Sequence, residues 1–121
     1  MTDEFRNLPE EALRELAQMA EKDCDDEGML MFLTYAAEKR DPLSQTRLGL
    51  LYSQDESLLD LEKAESLFRE AAQSGYARAM LELGDFLYEQ DKADEAYDWY
   101  RKGAMRGDSD CRMRMKHFGI E

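Results

Sequence analysis

The sequence predicts an all-α chain of about seven short helices arranged in repeating pairs, on three observations. Apolar residues recur at three- and four-residue steps almost throughout, which is helical periodicity, and strand-like alternation is absent. Punctuation is sparse, with 7 Gly and 2 Pro in 121 residues, too few for a small all-β fold full of turns. The chain also repeats itself at steps of 32 and 35 residues.

The elements follow in order. Leu13, Leu16, Ala17 and Ala20 form the apolar stripe of a first helix, whose start is marked by Pro9 after Asn7. The acidic turn Asp23-Cys24-Asp25-Asp26-Glu27-Gly28 caps a second helix carrying Phe32, Leu33 and Ala36. Pro42 directly after Asp41 opens a third, striped by Leu48, Leu51 and Tyr52. A loop from Ser53 to Leu59 leads to a helix with Ala64, Phe68 and Ala72 that stops at Gly75. Ala79 and Leu83 belong to the next, and Asp91 with Asp94 three residues on marks another start. That helix stops at Gly107, and Asp108 opens the last one.

Self-similarity orders these helices into pairs. Leu48-Gly49 aligns with Leu83-Gly84 at a step of 35, whereas Ala64, Phe68, Arg69, Ala72 and Gly75 match Ala96, Tyr100, Arg101, Ala104 and Gly107 at a step of 32. The three-residue difference falls in the loop, where Ser53 to Leu59 is longer than Glu89 to Asp91. Leu16-Ala17 precedes Leu48-Gly49 by 32, and Met29, Leu33, Ala36 and Ala37 precede Ala64, Phe68, Ala71 and Ala72 by 35, so a degenerate repeat opens the chain. Cys111 and Met115 follow Ala79 and Leu83 by 32 and begin a fourth unit that goes no further. The column Ala12, Ser44, Ala79, Cys111 is small, as close helix crossing requires. Leu16, Leu48, Leu83, Met115 and Leu33, Phe68, Tyr100 are large, so neighbouring units interlock.

These residues resemble a known family. Leu48-Gly49-Leu50-Leu51-Tyr52, Lys63-Ala64, Phe68-Arg69-Glu70-Ala71-Ala72, Gly75 and Ala79, then Leu83-Gly84, Ala96, Trp99-Tyr100-Arg101-Lys102, Ala104 and Gly107, look like Sel-one-like repeats, relatives of the tetratricopeptide repeats. The resemblance implies a right-handed α/α solenoid of antiparallel helix pairs, divided into a degenerate repeat at 10–40, repeats at 43–75 and 78–107, and a capping helix at 108–118. Departures are Arg40 in place of Gly, Ala17 and Lys116 in place of the Leu-Gly glycine, and Gly103 in place of Ala. They fall mainly in the outer units, where one face meets water.

Composition limits the function. With 16 basic and 28 acidic residues the net charge is -12, which argues against nucleic acid or an anionic membrane as the main partner. Through residue 100 there are 10 basic and 25 acidic residues; from Arg101 onward there are 6 and 3. Arg101, Lys102, Arg106, Arg112, Arg114 and Lys116 therefore make a basic end, read as solvated helix faces. Cys24 and Cys111 stand far apart and outside any metal spacing, and the stretch Met1 to Arg6 is acidic where a signal peptide is basic and apolar. Both observations predict a cytoplasmic protein.

Chemistry finds little to work with. His117 is the one histidine, no nucleophile motif, GxGxxG, GxxxxGK or HExxH occurs, and the turn at Asp23 to Gly28 meets Thr34 where a calcium loop needs glutamate. The sequence thus predicts no enzyme, no cofactor and no metal site. Repeat columns place Tyr100 with Phe68 and Trp99 with Leu67 and Phe32 in packing roles, leaving Tyr88 and Tyr97 as candidate contact residues.

What the resemblance implies is a protein-protein interaction module, an adaptor whose concave face of first helices holds a protein or peptide; the acidic charge predicts basic character in that partner, and the module is expected to be a monomer. Carried over position by position, the contact residues are Leu43, Thr46, Leu50, Ser53 and Gln54 in one unit, and Arg78, Leu81, Asp85, Tyr88 and Glu89 in the next. The alternative is an inhibitor or immunity protein whose acidic surface covers a basic toxin or nuclease domain.

Overall fold

Six consecutive helices have the same length, and their starts and stops come from short-range chemistry. The computed structural model describes residues 3–121; Met1 and Thr2, the first residues of the acidic N-terminal stretch, lie outside the described residues. A four-residue helix α1 (Asp3–Arg6) precedes α2 (Glu10–Lys22), α3 (Asp26–Glu38), α4 (Pro42–Gln54), α5 (Leu61–Gln73), α6 (Ala77–Glu89), α7 (Ala93–Met105) and α8 (Ser109–Phe118). Each of α2 to α7 has 13 residues, about 20 Å of helix. Seven long helices answer the sequence expectation, with α1 as an addition.

Four starts are capped by aspartate. Asp25, Asp41, Asp60 and Asp108 accept hydrogen bonds from the backbone N–H groups of Gly28, Ser44, Lys63 and Cys111. Asp41 does more than cap. Its buried carboxylate also accepts from the Ser44 hydroxyl at 2.6 Å and from Arg14 of α2, so it fastens α4 to the preceding pair. Two expected starts differ. Pro9 is itself the N-cap, with no side-chain capping bond. Asp91 does not cap α7; it takes a left-handed conformation (φ 63°) in the turn, and the N-cap is Lys92. The reason is register: Cys24 (φ 57°) occupies the equivalent turn position between α2 and α3, where the chain must reverse within three residues. The α4/α5 connection avoids this conformation through its three extra residues.

Stops behave as the glycines predict, with Gly75 at φ 100° and Gly107 at φ 91°. Arg40, the departure from glycine, adopts φ 65° at the same place.

Neighbouring helices pack in chain order as α2/α3, α4/α5 and α6/α7 pairs, with α8 on α7. The glycine column explains the spacing. A Cβ on Gly49 would stand 2.7 Å from the Phe68 ring, and one on Gly84 2.5 Å from Tyr100, so the backbone of each first helix lies directly on an aromatic ring of its partner. In the opening pair Ala17 and Leu33 share a buried cluster at the same positions: a larger residue on one side, a smaller one on the other. Between pairs the compensation recurs. Gly103, in place of Ala, faces Cys111, in place of Ala79, and a Cβ on Gly103 would lie 2.3 Å from the Cys111 sulfur. The departure at Gly103 is thus matched by a bulkier partner. Ala71, Ala79, Phe68, Leu83, Tyr100 and Cys111 belong to one large buried cluster, while the first pair, joined by Leu48 of α4, builds two smaller ones.

Candidate functional site

The face formed by α2, α4, α6 and α8 carries the expected contact residues, and neighbouring side chains divide them into three groups. Leu50, Ser53, Gln54, Asp85 and Glu89 line a groove of about 180 Å³ between α4 and α6, floored by Phe68 and Phe86 and flanked by Leu61 and Glu82. Leu50 and Gln54 continue into a second groove of about 350 Å³ toward α2, beside Met29, Leu51, Glu21 and Arg47. Leu43 is exposed at the end of α4 and lines a third depression with Arg14, Gln18 and Arg47. The two grooves adjoin at Leu50 and Gln54, which line both, and together make a trough spanning α2, α4 and α6.

Thr46 and Leu81 require correction. Both are buried, so neither can meet a partner. The Thr46 hydroxyl donates to the Pro42 carbonyl at 2.7 Å, and Leu81 lies in the large core cluster. Carry-over from the repeat resemblance placed them on the concave face, but both side chains are enclosed in the stack.

Arg78, Asp85 and Tyr88 are engaged within the protein. Arg78 bonds Asp110 of α8 at 2.8 Å. Asp85 holds Arg114 bidentately, at 2.9 and 3.0 Å, and accepts the Tyr100 hydroxyl at 2.6 Å. Burial and this bond to Asp85 hold the Tyr100 phenol well above its ordinary range. Tyr88 keeps an exposed edge but stacks on Phe118, 4.6 Å between ring centres, and Tyr97 lies 5.5 Å from the same ring. Phe118 and Ile120 pack against the large core cluster at the C-terminal end of the stack, a role that the sequence reading missed. The signal was available: Phe118 stands 32 residues after Phe86 and repeats its contact with the aromatic ring of the preceding helix.

Glu82 was also missed. It sits in the groove with its side chain only 15% exposed, 3.8 Å from Arg78 of its own helix. Burial pushes its carboxyl above the usual carboxylate range.

The basic end is less open than its composition suggests. Arg101 bonds Asp98, Lys102 lies over the Trp99 ring at 4.3 Å, Arg106 rests against Gly75, and Arg114 is held by Asp85. His117 is exposed and touches Phe118 edge-on. The Cys111 thiol, buried and near Asp108, is pushed up to about 12, which keeps it protonated and unreactive. Cys24 is exposed in its acidic turn. Among the described residues no helix is long and apolar enough to cross a membrane.

No family model matches the chain. Over 62 residues, 51% of this chain, it is 34% identical to chitin synthase regulatory factor 4 of Schizosaccharomyces pombe; that stretch spans 10% of the relative's length. Its structure is similar to the crystal structure of a Sel1 repeat protein from Oxalobacter formigenes, with a TM-score of 0.79 and 25% identity over 96% of this chain and 92% of that one. The helix-pair architecture is that of a Sel1-type, tetratricopeptide-like repeat protein.

Proposed function

We propose that this Sel1-type repeat chain is a protein-interaction module that binds a segment of another protein along the trough of α2, α4 and α6. The observation that carries this reading is that two grooves adjoin at Leu50 and Gln54 across successive repeats, with aromatic side chains beneath and polar groups at the rim. Leu50, Ser53, Gln54 and Glu89 are the contact residues in the trough and Leu43 adds one from the neighbouring depression, with Arg78, Asp85 and Tyr88 shaping the site from their internal bonds. The relative is called a regulatory factor, and acting through a bound partner is consistent with that description.

The test is a photo-crosslinking residue at Gln54 or, for comparison, at Ser66 on α5. Crosslinking of a partner in source cells from position 54 alone is the expected result. Equal crosslinking from both, or from position 66 alone, would place the interaction elsewhere.

A second reading, an inhibitor or immunity protein covering a basic toxin or nuclease domain, is favoured by one observation, the 25 acidic against 10 basic residues up to residue 100. An inhibitor would lose association rate steeply with added salt and abolish its target's activity on binding; an adaptor would do neither.

A further inference from the structure

Position by position, the first helices carry an alternating column of charge: Glu15, Arg47, Glu82, Arg114, at steps of 32, 35 and 32. Where two first helices meet, the column explains the seam. Arg47 of α4 reaches back to Glu21 of α2 at 3.0 Å. Arg114 of α8 reaches back to Asp85 of α6 with two bonds. The seam between α4 and α6 breaks this rule twice. Its column position holds Glu82 rather than arginine, and the α4 residues equivalent to Asp85 and Glu21 are Leu50 and Ser53, both uncharged. Here also lies the groove of about 180 Å³, and a largely buried carboxylate.

Resting on the reading of this face as an interaction surface, we infer that the α4/α6 groove receives an arginine side chain from the partner protein, its guanidinium against Glu82 and its alkyl stem over Leu50 and Phe86. The inference extends a pattern that the molecule fills itself on both sides: each flanking seam is bridged by an arginine from the later first helix, whereas the central seam has the space and an acid whose ion-pair partner, Arg78 of its own helix at 3.8 Å, is itself held by Asp110 at 2.8 Å. Arginine fits better than lysine because its planar fork engages a carboxylate with two bonds and sheds water more readily on an apolar floor. Glu89 at the rim and the acidic surplus of the surrounding repeats attract the same charge.

The probe is a short synthetic peptide alternating leucine and arginine, compared with its citrulline counterpart, which has the same shape and no charge. Fluorescence anisotropy gives affinity, and amide NMR shifts give location. Glu82→Gln and the citrulline peptide should each weaken binding at least about tenfold, while Glu38→Gln, an exposed acid at the end of α3, should change it less than about twofold. The double variant Leu50→Asp with Glu82→Arg rebuilds the flanking arrangement in the central seam; it should melt like the wild type and lose the peptide. Equal losses in Glu82→Gln and Glu38→Gln, with shifts still on α2, α4 and α6, would overturn the arginine site and leave the interaction surface standing. Shifts confined to α5 and α7 would overturn both. Absence of binding at about 1 mM peptide would overturn the arginine site alone.

Discussion

The central pairs and the opening pair solve one packing problem with different residues. In α4/α5 and α6/α7, a glycine lets an aromatic ring lie on the backbone of the first helix; in α2/α3, alanine and leucine divide the same space. What stays constant is the summed size across the contact rather than either residue. The same holds at Ala71 with Ala79 and Gly103 with Cys111. A departure from the repeat pattern is thus harmless when its neighbour departs in the opposite sense.

The comparison breaks most sharply at Gly84. Gly84→Val should cost more than about 3 kcal/mol, because its Cβ would overlap the buried Tyr100 ring and the whole α6/α7 pair must separate; an unchanged midpoint in denaturant titration would refute the glycine-aromatic contact. Next comes Leu33→Phe, which installs the central aromatic without its glycine. It should destabilise by about 2 kcal/mol, and adding Ala17→Gly should return at least half of that loss. Additive effects would mean that the opening pair is not built on the same exchange. At the third level, Gly103→Ala should cost about 1–2 kcal/mol alone, and less when Cys111→Ala removes the sulfur it meets. A double-mutant cycle with no coupling would contradict the pairing.

Glu82→Gln gives the smallest effect, a stabilisation of about 0.5 kcal/mol or less at neutral pH. The sign follows from the raised carboxyl pKa. The folded protein holds the proton more tightly than the unfolded chain, so the contribution of Glu82 to stability falls as pH rises from the unfolded to the folded value. Above that window the ionised group opposes folding, and glutamine removes the opposition. Thermal melts of both proteins across acidic and neutral pH should converge toward the acid side; a variant less stable than wild type at neutral pH would reverse the assignment.

The repeats, the helix pairs, the glycine stops at 75 and 107 and the caps at Asp41 and Asp108 were legible because each depends on residues a few positions apart or on a pattern copied along the chain. Leu50, Ser53, Gln54 and Glu89, expected on the concave face from the repeat resemblance, line the groove between α4 and α6. Thr46 and Leu81 were not legible as buried, since a neighbouring helix rather than their own decides what covers them.

By itself, then, the sequence determined a stack of helix pairs and the size columns that lock it, because packing within a repeat is written into every copy. Tertiary structure alone decided which charges meet: Arg114 finds Asp85, Arg47 finds Glu21, and Glu82 finds a groove. Such pairings join side chains 26 to 29 residues apart across two helices, and only the stacking of those helices brings them within hydrogen-bond reach.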